Sequence, residues 1–335
     1  MQEITIKKNE AGQRFDKYLC KYFKEATSSF IYKMLRKKNI ELNSKKATGS
    51  EKLVEGDVIK IFMADETIEK FKGQTKVPTK SKINTSTIRD NIVYEDENIL
   101  IVNKPVGVLS QKAKPTDVSI NEMFIEYLLE DKKLTYTELE TFTPSVCNRL
   151  DRNTSGLITF GKTLIGVQEL SNGFKLRTFD KYYLAVVWGE ITESCHIDGY
   201  LSKDSKTNKV TIKKTSKEDS SYIQTAYEPL KTAFILVNNK KIPITLLKIK
   251  LITGKTHQIR AHLASINHSL LGDDKYGNPK HNIDLKKQYK INYQLLHSYQ
   301  LCFKDTTSLK ALNNLNNMII EAPITKEINT LFNLK

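Results

Sequence analysis

Glycine and proline are scarce in this 335-residue chain, at 14 and 8 residues. No glycine-rich loop that could cradle a phosphate is present. The one Walker-like fragment, Gly254-Lys255-Thr256, lacks the earlier glycine at the required spacing and is not a P-loop. No internal repeat is visible. The four cysteines, Cys20, Cys147, Cys195 and Cys302, lie far apart and form no Cys-x-x-Cys pair, which excludes a zinc ribbon and a thioredoxin-type motif. Four scattered thiols suit a reducing cytosol, and a cytoplasmic location is expected. No window approaches about 18 consecutive apolar residues, so no membrane span is expected. The first ten residues are polar and charged, unlike a signal peptide.

What the chain does have is positive charge. Lysine and arginine number 53 against 38 acids, a net charge of +15. A surplus of that size favours polyanionic partners, because neutralising phosphates releases counterions. Composition alone also fits codon bias in the host genome. The length allows two domains and a sizeable core.

The pattern along the chain suggests three parts. Residues 1–65 read as a small module. Phe15, Leu19 and Phe23 recur every four residues and give one apolar helix face. Ser28-Ser29 is a candidate cap for a second helix, Phe30 to Lys38, in which Ile31, Met34 and Leu35 face inward while Lys33, Arg36 and Lys37 share an exposed face. Strand-like runs follow at Ile40–Leu42 and, after a Gly56-Asp57 turn, at Val58–Phe62. This pattern resembles the S4-like RNA-binding domain, with Lys33, Arg36 and Lys37 as its RNA contacts; a solvated basic helix on an unrelated small domain is the alternative. Residues 66–90 are polar, hold the lone Pro78, show no apolar period and read as a flexible linker. Residues 91–330 form the large domain. Strands are expected at Ile92–Tyr94, Ile99–Val102, Tyr182–Trp188 (both faces partly buried), Lys209–Lys213, Tyr222–Tyr227, Phe234–Val237 and Ile244–Leu251, and helices at Thr163–Phe174 and Thr256–Ile266. Short connections favour antiparallel pairing. The expected class is α+β, a mainly antiparallel mixed sheet beside a small α/β module.

One stretch carries the chemistry: Asn148-Arg149-Leu150-Asp151-Arg152-Asn153-Thr154-Ser155-Gly156-Leu157-Ile158. A carboxylate at a loop-to-strand junction is anchored by a rigid element yet can face a cavity, and two nearby guanidinium groups could pair with it and grip phosphate. On its own, an Asp between two Arg is more often a solvated ion-pair cluster.

The stretch resembles the catalytic loop of the RluA-type pseudouridine synthases, His-Arg-Leu-Asp-x-x-Thr-Ser-Gly-Leu, at every fixed position but the first, where Asn148 stands for His. Four further segments follow the same family's order: Asn103-Lys104-Pro105 with Gly107; Lys181-Tyr182-Tyr183-Leu184-Ala185; Gly254-Lys255-Thr256-His257-Gln258-Ile259-Arg260-Ala261-His262-Leu263, with Lys255 for the usual Arg; and Leu271–Gly277 with Leu295-Leu296-His297. Together they span about 200 residues, and five in order are hard to obtain by accident.

The resemblance implies an isomerase that converts uridine in RNA to pseudouridine. The glycosidic bond breaks, the base turns within the site, and a carbon–carbon bond forms to the ribose. No redox change or energy input is involved, so no cofactor or metal is expected. Water must be excluded, and the uridine must be extruded from folded RNA. The resemblance assigns Asp151 as the essential carboxylate, Arg260 as its partner, Tyr183 as the aromatic ring that stacks on the base, and Arg149 as the residue filling the gap left by the flipped nucleotide. Arg149 in a surface ion pair is the plainer alternative. Asn148, Arg152, Lys181 and His257 are expected to face RNA. His257 and His262 lack the i, i+4 spacing of a zinc protease and read as RNA-facing or structural. Ile259, Leu263 and Ile266 fall at core spacing. Thr154 and Ser155 are expected to shape the turn by side-chain-to-backbone bonds. Asn148 can donate and accept hydrogen bonds but carries no charge. The expected substrate is large-subunit (23S) ribosomal RNA or an assembly intermediate containing it, by analogy with the S4-like module. A tRNA-directed synthase and a non-catalytic RNA-binding factor are the rivals. A glycosidase is weaker, since hydrolysis calls for a second nearby carboxylate.

Overall fold

The computed structural model describes residues 1–73, 83–204, 209–216, 219–237 and 239–334. Its first unit is an antiparallel sheet of β1 (Gln2–Thr5), β2 (Ile40–Leu42), β3 (Lys45–Lys46) and β4 (Val58–Ile61), in the order β1-β4-β2-β3. The helices α1 (Phe15–Tyr22) and α2 (Ser28–Arg36) pack on it. Phe15, Leu19 and Phe23 are buried with Ile31, Leu35, Ile40, Ile59 and Ile61, so the four-residue period does mark the core face. The second helix starts two residues earlier than expected. Its cap is Thr27, not the serine pair, because Thr27 is extended and its Oγ1 accepts from Phe30 N at 3.2 Å.

The polar stretch expected as a linker is partly helical. α3 (Asp65–Lys72) has acids in its first turn and lysines in its last, which complements the helix dipole. It buries Ile68, and the Phe71 ring packs on Phe30 at 4.2 Å. Two well-placed apolar contacts suffice where a full apolar period is missing. α4 (Ser86–Arg89) buries Ile88. Residues 74–82, including Pro78, lie outside the described residues.

The second unit holds an eleven-stranded sheet among the described residues. In chain order it comprises β5 (Ile92–Glu95), β6 (Ile99–Lys104), α5 (Ile120–Glu130), α6 (Tyr136–Leu139), β7 (Ser145–Val146), β8 (Ser155–Gly161), α7 (Leu164–Leu176), β9 (Phe179–Trp188), β10 (Cys195–Lys203), β11 (Val210–Lys213), β12 (Ser221–Val237), β13 (Lys240–Leu251), α8 (Gln258–Ser265), α9 (Pro279–Asp284), β14 (Leu296–Phe303), β15 (Ile319–Glu321) and α10 (Lys326–Phe332). The strand order is β11-β10-β12-β13-β9-β14-β8-β6-β5, with β7 on β8 and β15 on β14. All pairings are antiparallel except β14 with β8. This is the expected mixed, mainly antiparallel α+β class.

The two runs expected as separate strands, Tyr222–Tyr227 and Phe234–Val237, are one strand, β12. Its register to β13 shifts between Pro229 and Lys231. A proline without an N–H suits a bulge, and the extra residue exchanges the strand's faces. Thus Ile223 and Thr225 are buried before the bulge, and Ile235 and Val237 after it in a different core cluster. β9 is buried on both faces: Tyr183, Ala185 and Val187 join one cluster with α5 and α8, and Leu184, Val186 and Trp188 join another.

The one parallel strand pairing among the described residues positions the loop before β8. Gly156 has φ +105°, and a Cβ there would lie 2.2 Å from the Ser298 carbonyl oxygen. Only glycine permits that backbone angle and that approach. Gly156→Ala is expected to lower stability by at least about 2 kcal/mol, read as a fall in denaturation midpoint.

Candidate active site

The segment from Asn148 to Thr154 joins β7 to β8 and is tied down at several points. β7 pairs with β8 through Val146, and Cys147 N donates to Thr159 O at 2.8 Å. Asn148 then extends that ladder with its side chain. Its Oδ1 accepts from Thr159 N at 2.7 Å and Thr159 Oγ1 at 3.0 Å, and its Nδ2 donates to Leu157 O at 3.3 Å. The carboxamide is therefore bound to β8 through Thr159 and Leu157. Leu150 N donates to Ser110 Oγ at 3.0 Å, and Ser110 Oγ donates to Leu150 O at 2.8 Å. Arg152 Nε donates to Gly107 O at 2.9 Å, and Gly107 N returns a bond to Arg152 O.

Neither flanking arginine pairs with Asp151. Arg152 clamps the 104–110 segment, although it remains exposed, and Arg149 is exposed with no ion pair among the described residues. The alternative reading, a surface ion-pair cluster of Asp151 with its flanking arginines, is not seen among the described residues. Thr154 and Ser155 also differ from expectation: they bond to side chains rather than backbone. Gln294 Nε2 donates to Thr154 Oγ1 at 3.3 Å, and Ser155 Oγ lies 2.8 Å from His297 Nδ1. Both residues are buried beside β14, whose neighbouring side chains supply the partners.

The partner of Asp151 comes from α8, 109 residues away in sequence. Arg260 Nη1 donates to Asp151 Oδ2 at 2.9 Å. Its Nε and Nη2 donate to Asp273 Oδ2 and Oδ1 at 2.8 and 2.9 Å. Such a two-toothed pair fixes the plane of the guanidinium and leaves one nitrogen for Asp151. Burial works against the charge on both groups, yet their pairing dominates: Asp273 is held below the usual carboxylate range and Arg260 above its own. Lys275 N and Tyr276 N also donate to Asp273 Oδ1, at 2.9 and 3.0 Å. The Arg260 guanidinium lies over the Tyr276 ring, 5.3 Å from its centroid. Sequence reasoning assigned no role to Asp273 or Tyr276. They stood within the Leu271–Gly277 segment, but no local signal shows that Asp273 meets a side chain 13 residues earlier.

α8 is held in place from its first turn. Thr253 Oγ1 and Lys255 N donate to Gln258 Oε1, and Gln258 Nε2 donates to Gln224 O and Thr225 Oγ1. Ile259 and Leu263 are buried and Ile266 is packed against the same cluster. His257 enters from the left-handed region, φ +53°. Its Nδ1 is 3.0 Å from Tyr276 Oη, which already accepts from Val210 N, so the Tyr276 proton is free for this bond. That leaves Nε2 toward Asp151, at 3.8 Å. Burial lowers the His257 pKa, opposed by Asp151 and assisted by Arg260. His262 is different. It is buried, its Nδ1 pairs with Thr225 Oγ1 at 2.8 Å, and burial pushes it down to about 4, so it is a neutral core residue. Among the described residues no group of three or more His, Cys, Asp or Glu could hold a metal.

Tyr183 comes from the middle of β9, opposite Ser298 of β14 and Ile249 of β13. It is buried, and burial raises its phenol to about 12 with the Asp151 charge acting the same way, so it is protonated at neutral pH. Lys181 lies two residues earlier and shares its face by strand alternation. Asp151, Arg260, Tyr183 and His257 therefore converge from a loop, a helix, a strand and a helix entry. Asp151 is the most accessible of the ion-paired trio, its side chain 27% exposed against 6% for Arg260 and 0% for Asp273. Lys33, Arg36 and Lys37 are exposed on the N-terminal unit, outside this cluster.

Lys104 was also missed as an individual site residue. It is fully buried, and its ammonium donates to the carbonyls of Pro105, Val108 and Arg152 at 2.9, 2.9 and 3.2 Å. Three carbonyls match the three N–H groups and lock the 104–108 turn to the Asp151 loop. Burial pushes the amine down to about 7, while the Asp151 charge pulls it back up. Between about 7 and the ordinary 10.5 the unfolded chain binds the proton that the native fold does not, so this group's contribution rises with pH across that window and is lost as pH falls through about 7. Lys104→Met is expected to remove this term, lowering the slope of stability against pH between 7 and 10.5 by up to about 1.4 kcal/mol per pH unit. Denaturant titrations across that range check it. The same variant strands three carbonyl acceptors and should lower overall stability.

Residues 98–265 match the family model described as RNA pseudouridylate synthase. An "Uncharacterized RNA pseudouridine synthase" of Mycoplasma capricolum is 32% identical over 326 residues, covering 96% of this chain and 97% of the relative. A "Ribosomal large subunit pseudouridine synthase C" of Vibrio vulnificus is 30% identical, covering 90% and 88%. Among solved structures, "Human RNA Pseudouridylate Synthase Domain Containing 4" superposes with a TM-score of 0.55 at 17% identity, over 75% of this chain and 96% of that one, which is a likeness of fold.

Proposed function

This chain belongs to the RNA pseudouridylate synthase family, of RluA type, and from that premise we propose that it isomerises uridines of large-subunit (23S) ribosomal RNA with Asp151 as the essential carboxylate. The protein is an isomerase that converts uridine to pseudouridine in RNA. The observation that carries the site assignment is the Arg260 bridge: a guanidinium fixed by buried Asp273 presents one nitrogen to Asp151 beside the buried ring of Tyr183. A pairing imposed from the far side of the fold orients one carboxylate oxygen and leaves the carboxylate accessible to substrate.

In this reading Tyr183 stacks on the extruded base, and its protonated phenol lies close to the reacting centre. Arg149, exposed and unpaired among the described residues, fills the gap left in the RNA stack. His257 lies beside the carboxylate, and Lys181 meets the RNA backbone. The N-terminal unit, residues 1–65, serves as an S4-like module whose α2 face of Lys33, Arg36 and Lys37 adds non-specific affinity. The ribosomal target follows the names of relatives such as the Vibrio vulnificus enzyme, which align over most of their length. The substrate is 23S rRNA or a large-subunit assembly intermediate that contains it. A cytoplasmic site of action fits that substrate. No described helix is long and apolar enough to cross a membrane.

The test is direct. The wild-type protein is incubated with unmodified 23S rRNA transcript and with bulk tRNA from a strain lacking the gene, and pseudouridine is mapped at single-nucleotide resolution. Modification at defined 23S positions is expected. Modification confined to tRNA would overturn the ribosomal assignment.

A further inference from the structure

The donors around Asp151 are unevenly committed. All three guanidinium nitrogens of Arg260 have a carboxylate oxygen at 2.8 or 2.9 Å. On Asp151 it is Oδ2 that Arg260 and His257 approach, at 2.9 and 3.8 Å. Oδ1 accepts no hydrogen bond among the described residues, so it is the oxygen open to substrate. His257 Nε2 is the donor left over. At 3.8 Å it stands beyond hydrogen-bond range of Asp151, and no other acceptor reaches it among the described residues.

The proton on that nitrogen is placed by Tyr276. The phenol Oη accepts from Val210 N at 3.0 Å and gives its own proton to His257 Nδ1, also at 3.0 Å. Burial raises the Tyr276 phenol, which keeps that proton available. With Nδ1 an acceptor, the neutral ring carries its hydrogen on Nε2. Burial lowers the pKa of the imidazole itself; Asp151 and Asp273 oppose this, Arg260 and Lys275 assist it, and the ring is neutral at pH 7 and above.

The backbone is strained to achieve this placement. His257 has φ +53° and ψ +17°, the left-handed region that an L side chain disfavours. Strain of about 1 kcal/mol or more persists where the surrounding fold imposes it, and such residues gather at functional sites. From that entry the ring stands edge-on to Tyr276, at 80° and 5.7 Å between centroids, with 14% of its side chain exposed. A neutral, fixed and unpaired N–H is a poor anchor for phosphate, which favours a cation. It is a good donor to an oxygen on which negative charge develops. When the N1–C1′ bond of uridine breaks, its electron pair stays on the base and the charge spreads onto O2 and O4. The Tyr183 ring covers a face of the base, which leaves the base's edge, with both carbonyls, to the groups around Asp151.

We infer that His257 is a catalytic residue whose Nε2–H donates to a carbonyl oxygen of uracil as the glycosidic bond breaks, and that Tyr276 is the positioning residue that fixes its tautomer. The inference rests on the proposed function and deepens it. The hydrogen stays on Nε2 throughout. The carbon–carbon bond forms from C5 to C1′, the proton lost from C5 is balanced by one gained at N1, and neither passes through His257.

The test uses the full chain in single turnover, with saturating protein, on unmodified 23S rRNA transcripts made with uridine, 2-thiouridine or 4-thiouridine. On uridine, His257→Phe is expected to lower the rate about 10²- to 10³-fold with RNA affinity within about threefold. His257→Gln keeps a neutral N–H donor and should stay within about tenfold of wild type. Sulfur is a weak acceptor, so on one of the two thio transcripts the His257→Phe loss should shrink at least about tenfold, a coupling that a merely structural role would not give. Tyr276→Phe keeps the ring under Arg260 and should cost about tenfold alone, but nothing further once His257 is Phe. A His257→Phe loss that is equal on all three transcripts, or no loss at all, would overturn the inference. Absence of wild-type turnover on the uridine transcript would instead fall on the proposed function and take this inference with it.

Discussion

Asp151→Asn is expected to lower pseudouridine formation by about ten-thousand-fold or more while leaving affinity for the same RNA within about threefold. The substitution keeps the size and one oxygen acceptor but removes the charge. Its structural cost is small, because Arg260 keeps its two-toothed bond to Asp273 and Asp151 is the least buried member of the trio. The fold should therefore survive, and the loss isolates chemistry from binding. The measurement is single-turnover pseudouridine formation beside equilibrium RNA binding. Retained turnover would refute the assignment of Asp151. Equal loss of binding and turnover would make Asp151 a binding residue instead.

Arg260→Met has a different signature. Asp273 is fully buried and its carboxylate faces that guanidinium. Removing one member of a buried pair leaves the other charge unpaired, which costs about 3–5 kcal/mol. Turnover should fall with stability, since Asp151 loses the nitrogen that orients it. A double variant, Arg260→Met with Asp273→Leu, removes both charges and should recover part of the stability without recovering activity. Denaturant titrations and turnover assays on the two variants separate these effects. If the double variant regains activity, Arg260 matters only for the fold.

Features set by short-range interactions were legible in the sequence, and those set by long-range ones were not. The period of Phe15, Leu19 and Phe23 located a core face, because such repeats follow from helix geometry alone. Strand alternation in Tyr182–Trp188 likewise gave a strand buried on both faces. Cap chemistry was less legible. Thr27, not the adjacent serines, starts α2, since three neighbouring hydroxyls offer similar local signals and only the chain path chooses between them. Within the stretch expected as a linker, the helix Asp65–Lys72 was not legible for a related reason. Ile68 and Phe71 are too few for a period, yet each finds a partner in the first unit's core.

At the site, the family motifs named Asp151, Tyr183 and Arg260 but could not say what holds them, and Lys104 stood in a motif without a role. Asn148, a departure from the motif, completes the β7–β8 ladder with its side chain, which no local signal foretold. The arginines beside Asp151 in sequence turn elsewhere, and its ion-pair partner arrives from α8.

By itself, the sequence determined the α+β class, the apolar faces, the basic character and, through ordered motifs, the chemistry of the family. These depend on residue type and near-neighbour spacing. Only the tertiary structure decided that Asp273 braces Arg260, that Lys104 locks the catalytic loop through three carbonyls, and that Asn148 completes the β7–β8 ladder. Each depends on which groups water is squeezed away from when distant segments meet, and that is a property of the packed chain.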